Sequence, residues 1–309
     1  MLLKRILFSI KIRYSKKKTG DFMKSIYDTY TLNNGVKIPC VAYGTYKAKD
    51  ENGADIIATA VEEGYRYFDT ASYYETEEYV AEAIRRSGLP REEFFIATKL
   101  WKEEMGYEEA LAAFERSAKR LNTDYIDLYL IHWPKPTPDC KDWKQLDIDT
   151  WRALEKLYKE GKVRAIGVSN FLPHHLDNIL ENCEIKPMVD QIEYHAGYTQ
   201  EATVQYCKQH NILVQAWSPI SRGRIFHDVT LIELAEKYQV SVAKLALRFC
   251  VQNGIVPLPK AASRERMRQN MDLFDFEISD EDMKRINTIP QVGWSGEHPD
   301  RERVPAMVV

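Results

Sequence analysis

Phe95-Ile96-Ala97-Thr98-Lys99, a helically spaced stretch over residues 108–121, and Ile126-Asp127-Leu128-Tyr129-Leu130-Ile131-His132 together decide the fold. The two flanking runs are short and largely apolar, the pattern of strands buried on both faces. Strand, helix and strand in that order build a parallel sheet covered outside by its helices.

The unit repeats in both directions. Further strand-like runs fall at residues 41–44, 67–70, 163–169, 188–192, 212–217 and 255–258, with helical patterns at 54–63, 79–86, 150–160, 200–209 and 231–238. Eight such strands predict a closed (β/α)8 TIM barrel of the α/β class; about six would suit an open doubly wound sheet. Upstream, residues 29–32 and 36–38 flank Asn33-Asn34-Gly35, a hairpin signal because these turn residues tolerate positive φ. An N-terminal β-hairpin across the barrel bottom would leave the opposite mouth open. No linker or low-complexity stretch divides residues 23–309, so they are predicted to form one barrel domain.

The chain has 309 residues and a formal net charge of -3, which gives no reason to expect nucleic acid or a membrane as partner. Five scattered cysteines, Cys40, Cys140, Cys183, Cys207 and Cys250, form no CxxC pair and point to a reducing compartment, the cytoplasm. No apolar run approaches the roughly 20 residues that cross a bilayer. Residues 1–22 carry a net charge of +6, leaving -9 on the remainder, and are predicted to be a disordered basic extension. Lys11 and Arg13 cut short the apolar stretch that a secretion signal would need.

In a barrel of this type, functional groups gather where strands end. Asp69 closes the second strand, Tyr74 follows on its loop, Lys99 closes the third and His132 the fourth. Each alone has a structural explanation: a strand-end Asp caps a helix, and a Tyr or His packs. An acid, a phenol, an amine and an imidazole converging on one mouth is a different matter.

The segments around them resemble the aldo-keto reductase family, with bacterial single-domain NADPH-dependent reductases the nearest in pattern. The resemblance lies in Asp69-Thr70-Ala71-Ser72-Tyr73-Tyr74, Thr98-Lys99-Leu100-Trp101, Leu130-Ile131-His132-Trp133-Pro134, Ile166-Gly167-Val168-Ser169-Asn170, Asp190-Gln191-Ile192-Glu193-Tyr194-His195 and Ala216-Trp217-Ser218-Pro219. It runs from about residue 31 to about residue 301. It implies an NADP(H)-dependent oxidoreductase that reduces an aldehyde or ketone to an alcohol, with Asp69, Tyr74, Lys99 and His132 as the catalytic four and Tyr74 as proton donor. In this family a Glu in place of His132 accompanies reduction of a steroid carbon–carbon double bond; His implies ordinary carbonyl reduction.

The chemistry is coherent on its own terms. An ordinary phenol, with pKa near ~10, is a poor proton relay near neutrality. An ammonium about 4 Å away at an effective dielectric of about 20 favours phenolate by roughly 4 kcal/mol, with desolvation opposing. Lys99 is expected to acidify Tyr74, Asp69 to keep Lys99 charged, and His132 to orient the substrate oxygen.

No G-x-G occurs, so a Rossmann phosphate loop is absent. By resemblance, Ser169, Asn170 and Gln191 would bind the nicotinamide carboxamide, and Trp217 would stack on its ring where most relatives carry Tyr. Thr45 and Asp69 would belong to the same cofactor site, with Ser218-Pro219-Ile220-Ser221-Arg222-Gly223 following the pyrophosphate. Lys260, Arg266 and Asn270 match the 2'-phosphate and adenine segment. Arg264, Arg266 and Arg268 also fit a solvated helix face. Ala261 replaces the usual hydroxyl residue and Gln269 the usual Glu, which leaves NAD(H) open beside NADP(H). Tyr46, Tyr74, Trp101, His132, Trp133 and Trp294 would line the substrate cleft, and no metal is expected. A compact polar aldehyde, dicarbonyl or keto-sugar is the expected substrate, and a monomer or weak homo-oligomer the expected state. Two other readings compete: a Schiff-base lyase using Lys99, and a cofactor-sensing subunit of a potassium channel.

Overall fold

The computed structural model describes residues 23–49 and 52–305, so the predicted basic extension over residues 1–22 lies outside it. An antiparallel hairpin, β1 (Thr29–Thr31) with β2 (Lys37–Pro39), precedes eight parallel strands. These are β3 (Tyr43–Gly44), β4 (Tyr67–Asp69), β5 (Phe95–Leu100), β6 (Leu128–Ile131), β7 (Ile166–Ser169), β8 (Val189–Glu193), β9 (Leu213–Trp217) and β10 (Val256–Pro257). Each pairs with its neighbour in chain order. Closure comes from the two ends: Ala42 N–H donates to Pro257 O at 3.1 Å and Gly44 N–H to Pro259 O at 3.0 Å. Proline has no N–H, so the last strand can accept but not fully return the ladder, which is why β10 is shorter than the apolar run predicts. The protein is a (β/α)8 barrel.

Around the sheet lie α1 (Gly53–Glu62), α2 (Glu77–Ser87), α3 (Tyr107–Leu121), α4 (Trp143–Lys159), α5 (Pro173–Leu180), α6 (Glu201–Gln209), α7 (Val229–Tyr238), α8 (Val242–Gln252), α9 (Arg264–Met271) and α10 (Asp280–Asn287). α4 begins at Trp143, well before the stripe predicted from residue 150. Its first turns bury Asp147, a polar residue that hides the amphipathic pattern. At Gly167 in β7, a Cβ would fall 2.5 Å from Val189 O, so only glycine lets β7 sit this close to β8.

Only Gly35 in the hairpin turn takes positive φ, at 89°. The two asparagines act through their side chains instead: Asn33 Nδ2 donates to Pro187 O at 2.9 Å and Asn34 Nδ2 to Arg164 O at 3.0 Å. Both acceptors precede barrel strands, so the hairpin covers the N-terminal mouth as predicted. The C-terminal mouth is left open. All five cysteines are free thiols, and no helix among the described residues is long and apolar enough to cross a membrane.

Candidate active site

The open mouth leads into a cavity of about 600 Å³. β4 and β5 run in parallel with Asp69 opposite Ala97, which carries Lys99 just past Asp69 at the same end. Lys99, fully buried, donates from Nζ to Asp69 Oδ1 at 2.8 Å and to Thr70 O at 2.9 Å. Asp69 Oδ2 accepts from Gln191 Nε2 at 2.8 Å. Gln191 also donates to Gln215 Oε1 at 3.0 Å, and Gln215 Nε2 donates to Tyr67 OH at 2.8 Å. A continuous polar chain inside the barrel therefore holds the Asp69 carboxylate from below. Such a chain is stable in a low-dielectric interior because its members satisfy one another.

Tyr74 and His132 share the cavity wall with Asp69. The Lys99 ammonium lies 4.9 Å from the Tyr74 ring centre, and the Tyr74 and His132 rings meet edge to face at 5.5 Å. Trp101 packs edge-on against His132 at 4.9 Å, and Tyr46 lies 5.0 Å from Tyr74. His132 Nδ1 is buried without a partner among the described residues, which leaves Nε2 as the ring nitrogen available to the cavity.

The electrostatics correct one expectation. Burial first, and the Asp69 carboxylate second, push the Tyr74 phenol well above its ordinary value rather than below it. The Lys99 ammonium is bonded to Asp69, and Arg222 is the charge that opposes the rise. Burial also pulls Lys99 below the usual lysine value, with Asp69 opposing. Burial, then the ammonium groups of Lys99 and Lys102, hold His132 well below the imidazole range. Tyr74 is thus a neutral phenol and His132 a neutral imidazole around pH 7.

A pH consequence follows from the sign of the His132 shift. An ordinary histidine gains its proton as pH falls through about 6.5. His132 is displaced downward and stays neutral there, so kcat/KM for reduction of an uncharged aldehyde should be level through that region. A steady-state pH profile checks this; an acid limb near 6.5 that disappears in His132→Gln would contradict it.

Beside these groups, Trp217 Nε1 donates to Asn170 Oδ1 at 2.8 Å, Asn170 Nδ2 to His132 O at 2.9 Å, and Ser169 Oγ to Gln191 O at 2.7 Å. Asn170 and Ser218 both adopt positive φ, at 63° and 50°. Strained backbone of this kind, at the rim of a cavity, is a frequent companion of functional sites.

The geometry has a counterpart among known proteins: the profile described as the Aldo/keto reductase family matches residues 41–290. The chain is an aldo-keto reductase. It is 47% identical over 277 residues to a protein named glyoxal reductase from Bacillus subtilis (strain 168), covering 89% of this chain and 98% of that one. It is 44% identical to the 9,11-endoperoxide prostaglandin H2 reductase of Trypanosoma cruzi (strain CL Brener), covering 90% and 97% of the two chains. Among solved structures, a Bombyx mori aldo-keto reductase in complex with NADP superposes with a TM-score of 0.78 at 34% identity, covering 91% of this chain and 95% of that one. The protein is accordingly an oxidoreductase of a family whose members act on carbonyls.

Most of the residues that the sequence nominated for this reductase's site meet at the cavity. Tyr46, Asp69, Tyr74, Trp101, His132, Trp133, Ser169, Asn170, Gln191, Trp217, Ser218, Ile220 and Lys260 line it. Thr45 does not. It is buried behind the wall, with its hydroxyl donating to Asp69 O at 3.0 Å. Trp294 is also off the wall, its ring near-parallel to Tyr198 and its Nε1 donating to Glu297 O at 3.1 Å. Instead the same C-terminal segment presents Glu297 and Arg303 to the cavity. It is tied down by Ser295, which donates from N and Oγ to the buried Glu193 carboxylate at 2.9 and 2.7 Å. Arg266 and Asn270 lie on α9 outside the wall, Arg266 exposed and Asn270 buried. Lys47, Tyr73, Lys102, Glu297 and Arg303 line the cavity without having been nominated. Lys102, Lys47 and Tyr73 were visible only as neighbours of the nominated Trp101, Tyr46 and Tyr74; Glu297 and Arg303 were not singled out.

Proposed function

We propose that this aldo-keto reductase reduces an aldehyde or ketone carbonyl to an alcohol with NADP(H), and that Tyr74 is its proton donor. The supporting observation is the buried Asp69–Lys99 pair beneath a cavity that Tyr74 and His132 share. The residues present suit a dinucleotide. Ser169, Asn170 and Gln191 offer amide and hydroxyl groups beside the Trp217 indole, and Arg222 and Lys260 line the same cavity. When bound, the reduced nicotinamide supplies hydride to the carbonyl carbon. This chain's own part is to hold and protonate the oxygen. His132, carrying its proton on Nε2, donates a hydrogen bond that orients the oxygen. Tyr74 starts fully protonated, and an alkoxide is far more basic than phenolate, so the proton passes from the phenol to the new alcohol. Lys99 then lies beside the phenolate at the one moment it carries charge.

The arginines of α9 divide in a way that favours a phosphate. Arg264 pairs with Glu62 and Glu63, and Arg268 with Glu63, as a solvated face would. Arg266 and Lys260 have no acidic partner among the described residues, which suits a dianionic 2'-phosphate. With Ala261 lacking a hydroxyl and Ser263 Oγ capping α9 through Arg266 N, these two cations would carry the discrimination. Arg266→Ala is expected to raise KM for NADPH on the order of tenfold and leave KM for NADH nearly unchanged. An equal rise for both cofactors, or a wild-type preference for NADH, would overturn the assignment.

The overall reading is tested by following NADPH oxidation over a panel of aldehydes, ketones and keto-sugars. Oxidation with none of them would sink it. We also place the enzyme in the cytoplasm, on the strength of its five free cysteines, three of them buried.

A further inference from the structure

Charge in the cavity does not balance on the substrate side. Two acids line it, and both have partners: Asp69 holds Lys99 at 2.8 Å, and Glu297 holds Arg303 at 3.1 Å. Lys102 lines the same cavity half-buried and has no acidic partner among the described residues. Its ammonium sits over two indole faces, 5.5 Å from the Trp101 ring centre and 5.2 Å from that of Trp133. Trp101 in turn packs against His132, so this cation stands on the His132 side of the cavity, whereas Lys47 and Arg222 each lie 5.6 Å from the Tyr46 ring centre.

The loop that carries it is stiff. Glu104 accepts from Trp101 N at 2.8 Å and Ser72 Oγ at 2.7 Å, and pairs with Arg116 at 2.9 Å. The Glu104 carboxylate is therefore committed elsewhere, and it ties the backbone beside Lys102. Tyr73 stacks on Trp101, the ring centres 3.9 Å apart. A cation held over aromatic faces, with no acidic partner among the described residues, is a preorganised anion site.

We propose that Lys102 is a specificity-determining residue that anchors an anionic group of the substrate, and that the preferred substrates are short carbonyl compounds bearing a carboxylate. This rests on the carbonyl-reduction reading above. With the carbonyl held at His132 and Tyr74, the ammonium is within reach of a carboxylate roughly two to four carbons away. The indoles of Trp101 and Trp133 cover the connecting methylenes.

The test compares two aldehydes of equal chain length, 4-oxobutanoate and butanal, as NADPH-dependent substrates of the wild type, Lys102→Met and Lys102→Arg. The wild type should favour the acid at low ionic strength, and added salt should reduce kcat/KM for the acid but not for butanal. Lys102→Met should lower the acid-to-butanal ratio of kcat/KM on the order of 10- to 100-fold, chiefly through KM for the acid. Lys102→Arg should retain most of that ratio. Because the readout is a ratio within one variant, partial loss of folded protein cancels. A wild type that reduces butanal with no preference for the acid, or a ratio unchanged in Lys102→Met, overturns the anchor alone. A wild type that turns over neither compound but reduces other carbonyls of the panel also overturns the anchor alone; one that reduces no carbonyl of the panel overturns the carbonyl-reduction reading and the anchor with it.

Discussion

Tyr74→Phe is expected to lower kcat/KM for carbonyl reduction by about 10²- to 10⁴-fold, the usual contribution of a positioned general acid. The substitution removes one oxygen and leaves the ring. The Tyr74 hydroxyl makes no hydrogen bond among the described residues, and its ring packs edge-on against His132 and tilted against Tyr46. The fold and the cavity should therefore survive. Affinity for NADPH, followed by quenching of tryptophan fluorescence, should stay within about twofold, because the lost interaction matters only as charge develops on oxygen. Activity equal to the wild type would remove the proposed donor. Loss of activity together with loss of cofactor binding would instead point to a positioning role.

Lys99→Met should have the second large effect, on stability as well as on turnover. Lys99 and Asp69 are both buried and bonded at 2.8 Å. Removing one partner strands a charge in the interior, which costs about 3–5 kcal/mol. Chemical denaturation should therefore show a clearly lower midpoint for Lys99→Met. The double variant Asp69→Asn with Lys99→Met should regain much of that loss, because no charge is then left buried and Asn can still accept from Gln191. Its reductase activity should remain low. Recovery of both stability and activity would mean that the pair serves only to hold the barrel together.

The opposite direction of the Tyr74 shift shows what a sequence can and cannot carry. The spacing of Asp69, Tyr74, Lys99 and His132 made their meeting predictable, because each ends or follows a strand of a parallel barrel. Their mutual electrostatics were not predictable. The sequence suggests an ammonium beside a phenol; the structure adds that the ammonium points at Asp69 and that burial and the Asp69 carboxylate raise the phenol. The helix boundary at Trp143 was hidden for a related reason, since Asp147 interrupts the apolar stripe yet is buried.

By itself the sequence determined the barrel class, its eight strands, the hairpin beneath them and the four residues at the mouth. These are local patterns, written in periodicity and in residue types at strand ends. Only the tertiary structure decided how the barrel closes through Pro257 and Pro259 carbonyls, and that Trp294 turns away while Glu297 and Arg303 turn in. It also decided which of the many lysines and arginines stand unneutralised, Lys102 among them. Pairing, burial and the sign of a proton's affinity depend on groups brought together from distant positions along the chain, and no window of sequence contains them.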